Sequence, residues 1–423
     1  MSARLAWLGG RWALVAQFVA LLAAGVLWVA PRATSWVGSW KQALDFGAGA
    51  TAFIGPVAAG AACLAYARLR RSAMSEVILQ GRRDWWVWLQ PSVAVWGLAS
   101  AALLILVLGV TGVASAAGAP SYWGSSWIVV PALAVLAAQT VIGAGLGFAS
   151  GRAWVAPLVA AGVFSISFLT SSQVIPELFN TGGVTGTLAG QVFAVGPVLM
   201  PAVAALGIVM MVLVAAAPRL FWATWPRRGV VVLGAAAFVV GWLGAPASND
   251  DRYELLPRPP QTCAGARPQV CVFEETPRPL ADLVTRVERQ ATFLYDAGVR
   301  VPERFTQHYA TQDHDPSDGV VQLIGDDESS SSVSDDSATD TLVTPALCDQ
   351  DYGAEPPYLA MDARHLLGRW LQVRAGIRQP APGDSDRVWL LGDREAQEAW
   401  VRDVYRRLQT CAFEEITIPD GVG

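Results

Sequence analysis

Up to about residue 248 the chain is a succession of long apolar runs broken by short polar ones. Beyond it, apolar positions recur at helix or strand spacing instead. A run of about 20 apolar residues is long enough to cross a hydrocarbon core. Seven such runs are read, near 12–31, 46–67, 87–112, 127–149, 153–171, 194–217 and 229–246. From Trp85 to Gly151 there is no charged residue, which leaves room for two spans and the polar hairpin GAPSYWGSSW. The first run follows a basic amino end, as the apolar core of a signal peptide would. It is too long for one, and no small-residue cleavage site follows in WVAPRATSW, so it is read as an uncleaved span.

Past the boundary segment GWLGAPASNDDRYELLPRPPQ the pattern changes. TPRPLADLVTRVERQATFLYDAGV places Leu280, Leu283, Val284, Val287, Ala291 and Leu294 at helical spacing, with Pro near its start and Gly near its end. YLAMDARHLLGRWLQVRAGI and DREAQEAWVRDVYRRLQTC predict two more helices, and QVCVFEE, GVVQLIG and DRVWLLG predict short strands. GDDESSSSVSDDSATDT is acidic and serine-rich and predicts a solvated loop, without the ligand spacing of a calcium site. The fold class is therefore an α-helical polytopic membrane domain of about seven transmembrane helices, residues 1–248, followed by an α+β domain, residues 249–423.

Composition agrees and adds orientation. Of 423 residues 53% are hydrophobic and 15% charged, against about 25% charged in soluble proteins. Residues 1–248 carry 13 Lys+Arg against 4 Asp+Glu, and residues 249–423 carry 17 against 31. A basic apolar half and an acidic polar half imply two environments. With the amino terminus inside, cytoplasmic segments hold Arg4, Arg11, Arg68, Arg70, Arg71, Arg82, Arg83, Arg152, Arg219, Arg227 and Arg228, and the outer loops hold only Arg32 and Lys41. That bias predicts a plasma-membrane protein with a cytoplasmic amino terminus and an extracytoplasmic carboxy-terminal domain.

Cysteines fit this topology. Cys63 falls in the second span, whereas Cys263, Cys271, Cys348 and Cys411 fall in the outer domain, where an even count suggests two disulfides among three possible pairings. The short CAGARPQVC, with Gly and Pro for a turn, favours Cys263–Cys271 and leaves Cys348–Cys411. No CxxC pair is present, so neither a metal site nor a cofactor is expected.

Catalytic signatures are missing. Lys41, the only lysine, follows Trp40, so no phosphate-cradling Gly-Lys-Ser/Thr unit exists, and neither GxSxG nor HExxH occurs. His308 and His314 flank YATQD, with Asp313 and Asp315 beside the latter, which a polar loop explains more readily than a metal or acid–base pair. In the membrane half Asp45 and Glu177 are placed at span edges, where carboxylates are solvated, so no buried charge is expected within it. No enzymatic activity and no nucleic-acid partner are expected.

The loop RLRRSAMSEVILQGRRDWWVW, residues 68–88, concentrates charge. Met74, Val77, Ile78 and Gly81 share one helical face, and Trp85, Trp86 and Trp88 mark re-entry at the membrane interface. An Arg-rich exit from the second span, then Glu76, Gly81 and Arg83 as Glu-x-x-x-x-Gly-x-Arg, then an aromatic re-entry resembles the coupling-helix loop of ABC transporter permeases of the type 2 exporter class. The segment TSSQVIPELFNTGGVTGTLAGQVFAVGP resembles the outer re-entrant helices of the same permeases.

The resemblance covers about residues 1–220 and implies a permease subunit driven by a separate ATP-binding cassette subunit. That subunit would dock on residues 72–84 through Glu76, Gly81, Arg82 and Arg83, with a second permease chain completing a homodimer or heterodimer in the bilayer. A seventh span and a large cysteine-bearing domain depart from the permease pattern. The opening Cys263…Cys271-Val272 followed by a long helix is similar to the carboxy-terminal domains of actinobacterial permease-like proteins. The rival expectation is a membrane-anchored binding or sensory protein without transport.

Overall fold

The computed structural model describes residues 10–71, 85–171, 176–183, 188–216, 227–275, 280–307, 315, 317–323, 334–346, 348 and 358–419. The chain divides into two compact units. One comprises residues 1–116, 121–185 and 192–254, and the other residues 117–120, 186–191 and 255–423.

The first unit is helical: α1 Gly10–Val29, α2 Ala33–Trp36, α3 Trp40–Gly49, α4 Thr51–Arg71, α5 Trp85–Ala116, α6 Val129–Ser150, α7 Val155–Ser171, α8 Val195–Ala216 and α9 Arg227–Gly244. Apolar helices stand at all seven predicted places. Among the described residues, five stretches are long and apolar enough to cross a membrane: Gly10–Trp36, Trp40–Arg71, Trp88–Ala116, Trp123–Ser150 and Val195–Ala215. Two shorter ones, Val155–Leu169 and Arg228–Gly244, complete the set. Large apolar side chains such as Leu108, Val232 and Leu243 face outward, while alanines and glycines fill the inside. That distribution suits a lipid surround, in keeping with helices long and apolar enough to cross a membrane.

Small residues set the helix seams. A Cβ on Gly147 would lie 2.2 Å from the Cys63 carbonyl oxygen, and one on Gly143 would lie 2.0 Å from that of Ala59, so α6 rests directly on the α4 backbone. Both helices advance four residues per contact, and the next step pairs Gln139 with Gly55. Gly207 against Gly234 and Gly241 against Ala204 join α8 to α9 in the same way. Arg70 and Arg71 close the end of α6: Arg70 donates to the Phe148 and Ala149 carbonyls, and Arg71 Nε donates to Gly151 O at 2.7 Å. Arg70 thus caps helix carbonyls left without intrahelical donors, and Arg71 bonds the carbonyl just past the helix end.

In the second unit a four-stranded sheet is ordered β3 Gln261–Ala264, β4 Gln269–Phe273, β5 Arg304–Thr306 and β6 Gly319–Val320; β1 Gln191–Phe193 and β2 Tyr253–Leu255 precede it in the chain. β3 and β4 are antiparallel, and β4–β5 and β5–β6 are parallel. Helix α10, Leu280–Asp296, connects β4 to β5 and buries Leu283, Val287, Ala291 and Leu294 in one core with Val270 and Val272 of the sheet. α11 Asp335–Leu342, α12 Tyr358–Arg374, α13 Arg387–Leu390 and α14 Arg394–Gln409 complete the unit. Cys263 and Cys271 are cross-strand partners and form one disulfide; Cys348 and Cys411 form the other, and Cys63 is a free, buried thiol.

Two local expectations change. DRVWLLG holds a helical turn, not a strand, because its four-residue apolar run bonds back on itself, Leu390 N to Asp386 O at 2.9 Å and Leu391 N to Arg387 O at 3.0 Å. The acidic serine stretch ends in α11. Ser334 caps it by accepting from Ser337 N at 3.1 Å, Asp335 and Asp336 occupy its first turn, and Ala338 and Leu342 reach the core.

Candidate functional site: a buried ionic cluster

Asp45 and Glu177 are not solvated. They are 0% and 1% exposed, which corrects the expectation that the apolar unit buries no charge. An uncompensated carboxylate in such surroundings costs several kcal/mol, so its partners decide its role.

Asp45 sits on α3, whose start is fixed by Ser39 accepting from Gln42 N at 3.4 Å. One carboxylate oxygen accepts from Gly183 N at 2.5 Å, and the other from the Tyr253 hydroxyl at 2.8 Å. Arg252, 2% exposed, balances the charge at 3.8 Å and donates to the Thr181 carbonyl. The Thr181 hydroxyl donates to Ala48 O at 2.6 Å and shares a 2.8 Å hydrogen bond with Thr51. Three stretches of chain therefore meet: α3, residues 177–183, and the segment after α9, where Glu177 N also donates to Pro246 O at 3.0 Å. Asn180 Nδ2 donates to Glu177 Oε1 at 3.5 Å.

Glycine makes this approach possible. A Cβ on Gly182 would lie 2.0 Å from Asp45 O, and one on Gly49 would lie 2.6 Å from the Gly182 carbonyl. Gly183 has φ +95°, a conformation that side chains rarely adopt, and faces the Trp28 ring. Residues 176–183 are irregular and buried, so in the described part of this stretch the expected re-entrant helix is replaced by a strap laid on α3. Buried irregular backbone persists only where protein satisfies its polar groups, as α3 and Arg252 do here.

The cluster's chemistry is ionic fastening. Burial first, and then the Asp45 carboxylate, push the Tyr253 phenol well above its usual range, so it remains a neutral donor. Sequence reading missed Arg252, half hidden in SNDDRYELL. The available signal was an arginine only a few residues past the last apolar run.

Glu76, Gly81, Arg82 and Arg83 lie outside the described residues, as do His308, Asp313 and His314. In the second unit, a cleft of about 610 Å³ between α11 and α12 is lined by Asp336, Asp340, Met361, Arg364 and His365. Burial, then the neighbouring Asp336, raise the Asp340 carboxyl above its ordinary value, with His365 opposing. A second cleft of about 760 Å³ holds the Arg304–Asp318 ion pair at 2.6 Å. Among the described residues no three His, Cys, Asp or Glu side chains are grouped to hold a metal.

Residues 270–411 match a family model described as a domain of unknown function (DUF7224). The match runs from within β4 to Cys411, covering the core of the second unit. No curated protein matches the chain, and no solved structure does.

Proposed function

We propose that the chain is the membrane-spanning subunit of an ABC-type exporter, with seven spans, a cytoplasmic amino terminus and an extracytoplasmic disulfide-bonded domain. A separate ATP-binding subunit docks on residues 72–84 through Glu76, Gly81, Arg82 and Arg83, and a second permease chain completes the assembly. The observation that carries this reading is the buried Asp45–Arg252–Tyr253 cluster with its strap. A passive anchor needs only apolar spans, whereas buried ionisable groups and broken backbone among spans accompany moving parts and pathways. The positive-inside bias and the oxidised cysteine pairs support the orientation. In this scheme the cluster holds the strap at the outer end of the bundle in one state and releases it in the other.

Purification of the intact protein from its own host in mild detergent tests the reading. A stoichiometric subunit with a phosphate-binding loop is expected, and Arg82→Ala with Arg83→Ala removes it. Its absence under crosslinking leaves the second reading, a membrane-anchored binding protein, which the α11–α12 cleft favours.

A further inference from the structure

Gln139, midway along α6, is fully buried, and neither its Oε1 nor its Nε2 has a hydrogen-bond partner among the described residues. A buried, unbonded amide costs roughly 1–3 kcal/mol, so a purely architectural seam favours an apolar residue here. The residue opposite shows how closely the amide is seated. A Cβ on Gly55 would lie 1.7 Å from Gln139 Oε1 and 2.8 Å from Nε2, so the amide occupies the space a side chain on α4 would fill.

The helix is weakest at that contact. Pro56 follows Gly55 inside α4; lacking an N–H, it cannot serve the carbonyl of Ala52. On one side of the contact, Gly143 on Ala59 and Gly147 on Cys63 clamp the two helices backbone to backbone. On the other side, α4 ends at Thr51, after the break at Ala50. Thr51 lies one turn from Gly55, and its hydroxyl meets that of Thr181, whose carbonyl takes Arg252. The ionic cluster thus begins one helical turn from the contact with Gln139.

We propose that Gln139 is a cargo-contact site: as the Thr51 end of α4 swings about Gly55–Pro56, its amide takes a neutral hydrogen-bonding group, an amide or hydroxyl, of the transported molecule. One acceptor and two donors without formal charge suit an uncharged polar group and offer an ion no counter-charge. This rests on the exporter reading, and it names the residue that reads the cargo.

The test uses the full chain in membranes of its host, with Cys63→Ala as background and iodoacetamide and iodoacetate as probes, one a neutral amide and the other its anionic counterpart of similar size. Gln139→Cys is expected to react with iodoacetamide at least about tenfold faster than the equally buried Val135→Cys, since only the opened population is reached. Iodoacetate is expected to lag behind its rate on free cysteine, and Pro56→Ala to abolish the reactivity. An inert Gln139→Cys, or equal reaction with both probes, overturns the proposal. Gln139→Leu provides a check independent of labelling. A raised Tm is expected from removing an unbonded amide, and a lowered Tm means that the resting state bonds it and the proposal fails. A co-purifying ATPase with an inert Gln139→Cys sinks this inference alone. Reactivity without an ATPase sinks the exporter reading and leaves a hydrated α4–α6 seam.

Discussion

At the scale of single residues the energetics turn on groups buried with their partners. Removing Arg252 strands the Asp45 carboxylate, so Arg252→Ala should cost about 3–5 kcal/mol. Asp45→Asn in the same chain should recover part of that loss, because the charge goes with its partner. Thermal unfolding in detergent of both single variants and the double variant measures this, and strict additivity would show that the two side chains do not interact. Asp340 makes the opposite case. Its folded carboxyl titrates above the unfolded one because of burial and then Asp336, so the native state binds the extra proton and stability falls as pH rises between the two values. Asp340→Asn should flatten that decline and raise stability at neutral pH, read as melting temperature from pH 3 to pH 7. Asp45 and Glu177 were visible in the sequence as the few carboxylates of the apolar half. Their burial was not, because it depends on Arg252 and Gly183, distant in the chain.

At the scale of elements, backbone contact between helices is the controlling feature. Gly143 has the Ala59 carbonyl oxygen 2.0 Å from where its Cβ would be, and backbone cannot give way as a side-chain end can. Gly143→Val should therefore part α4 from α6 and abolish a folded, monodisperse protein in detergent. The same change at Gly162, which meets nothing within 4 Å, should be tolerated. Size-exclusion profiles of the two variants decide it. The apolar runs forecast where helices stand, since about 20 apolar residues in lipid leave the backbone no other way to satisfy its hydrogen bonds. They did not forecast α11, whose polar sequence is helical because Ser334 caps it and only Ala338 and Leu342 need the core.

At the scale of the whole molecule, the two disulfides stabilise unequally. Loop-closure entropy assigns about 4 kcal/mol to Cys348–Cys411, 63 residues apart, and about 2.5 kcal/mol to Cys263–Cys271, 8 apart, whose ends the β3–β4 pairing already holds. Cys348→Ser with Cys411→Ser should lower the denaturation midpoint of the second unit more than the other double replacement does. Equal losses would mean that chain entropy is not the main contribution. The matched family stretch begins after Cys263 and ends on Cys411, so it contains the long-range bridge whole and the hairpin bridge only in part.

By itself the sequence placed the long apolar helices of the first unit and the three longer helices of the second, and it favoured one of three possible cysteine pairings, the one the structure holds. Each follows from local rules: apolar length, 3.6-residue periodicity, and a turn short enough to join two cysteines. Only the tertiary structure decided that Asp45, Arg252, Tyr253 and Gly183 converge, that Gln139 lies unbonded on Gly55, and that residues 176–183 form a strap on α3. Those facts rest on contacts between residues far apart in the chain, where one glycine allows two backbones to touch and one arginine makes a buried carboxylate tolerable.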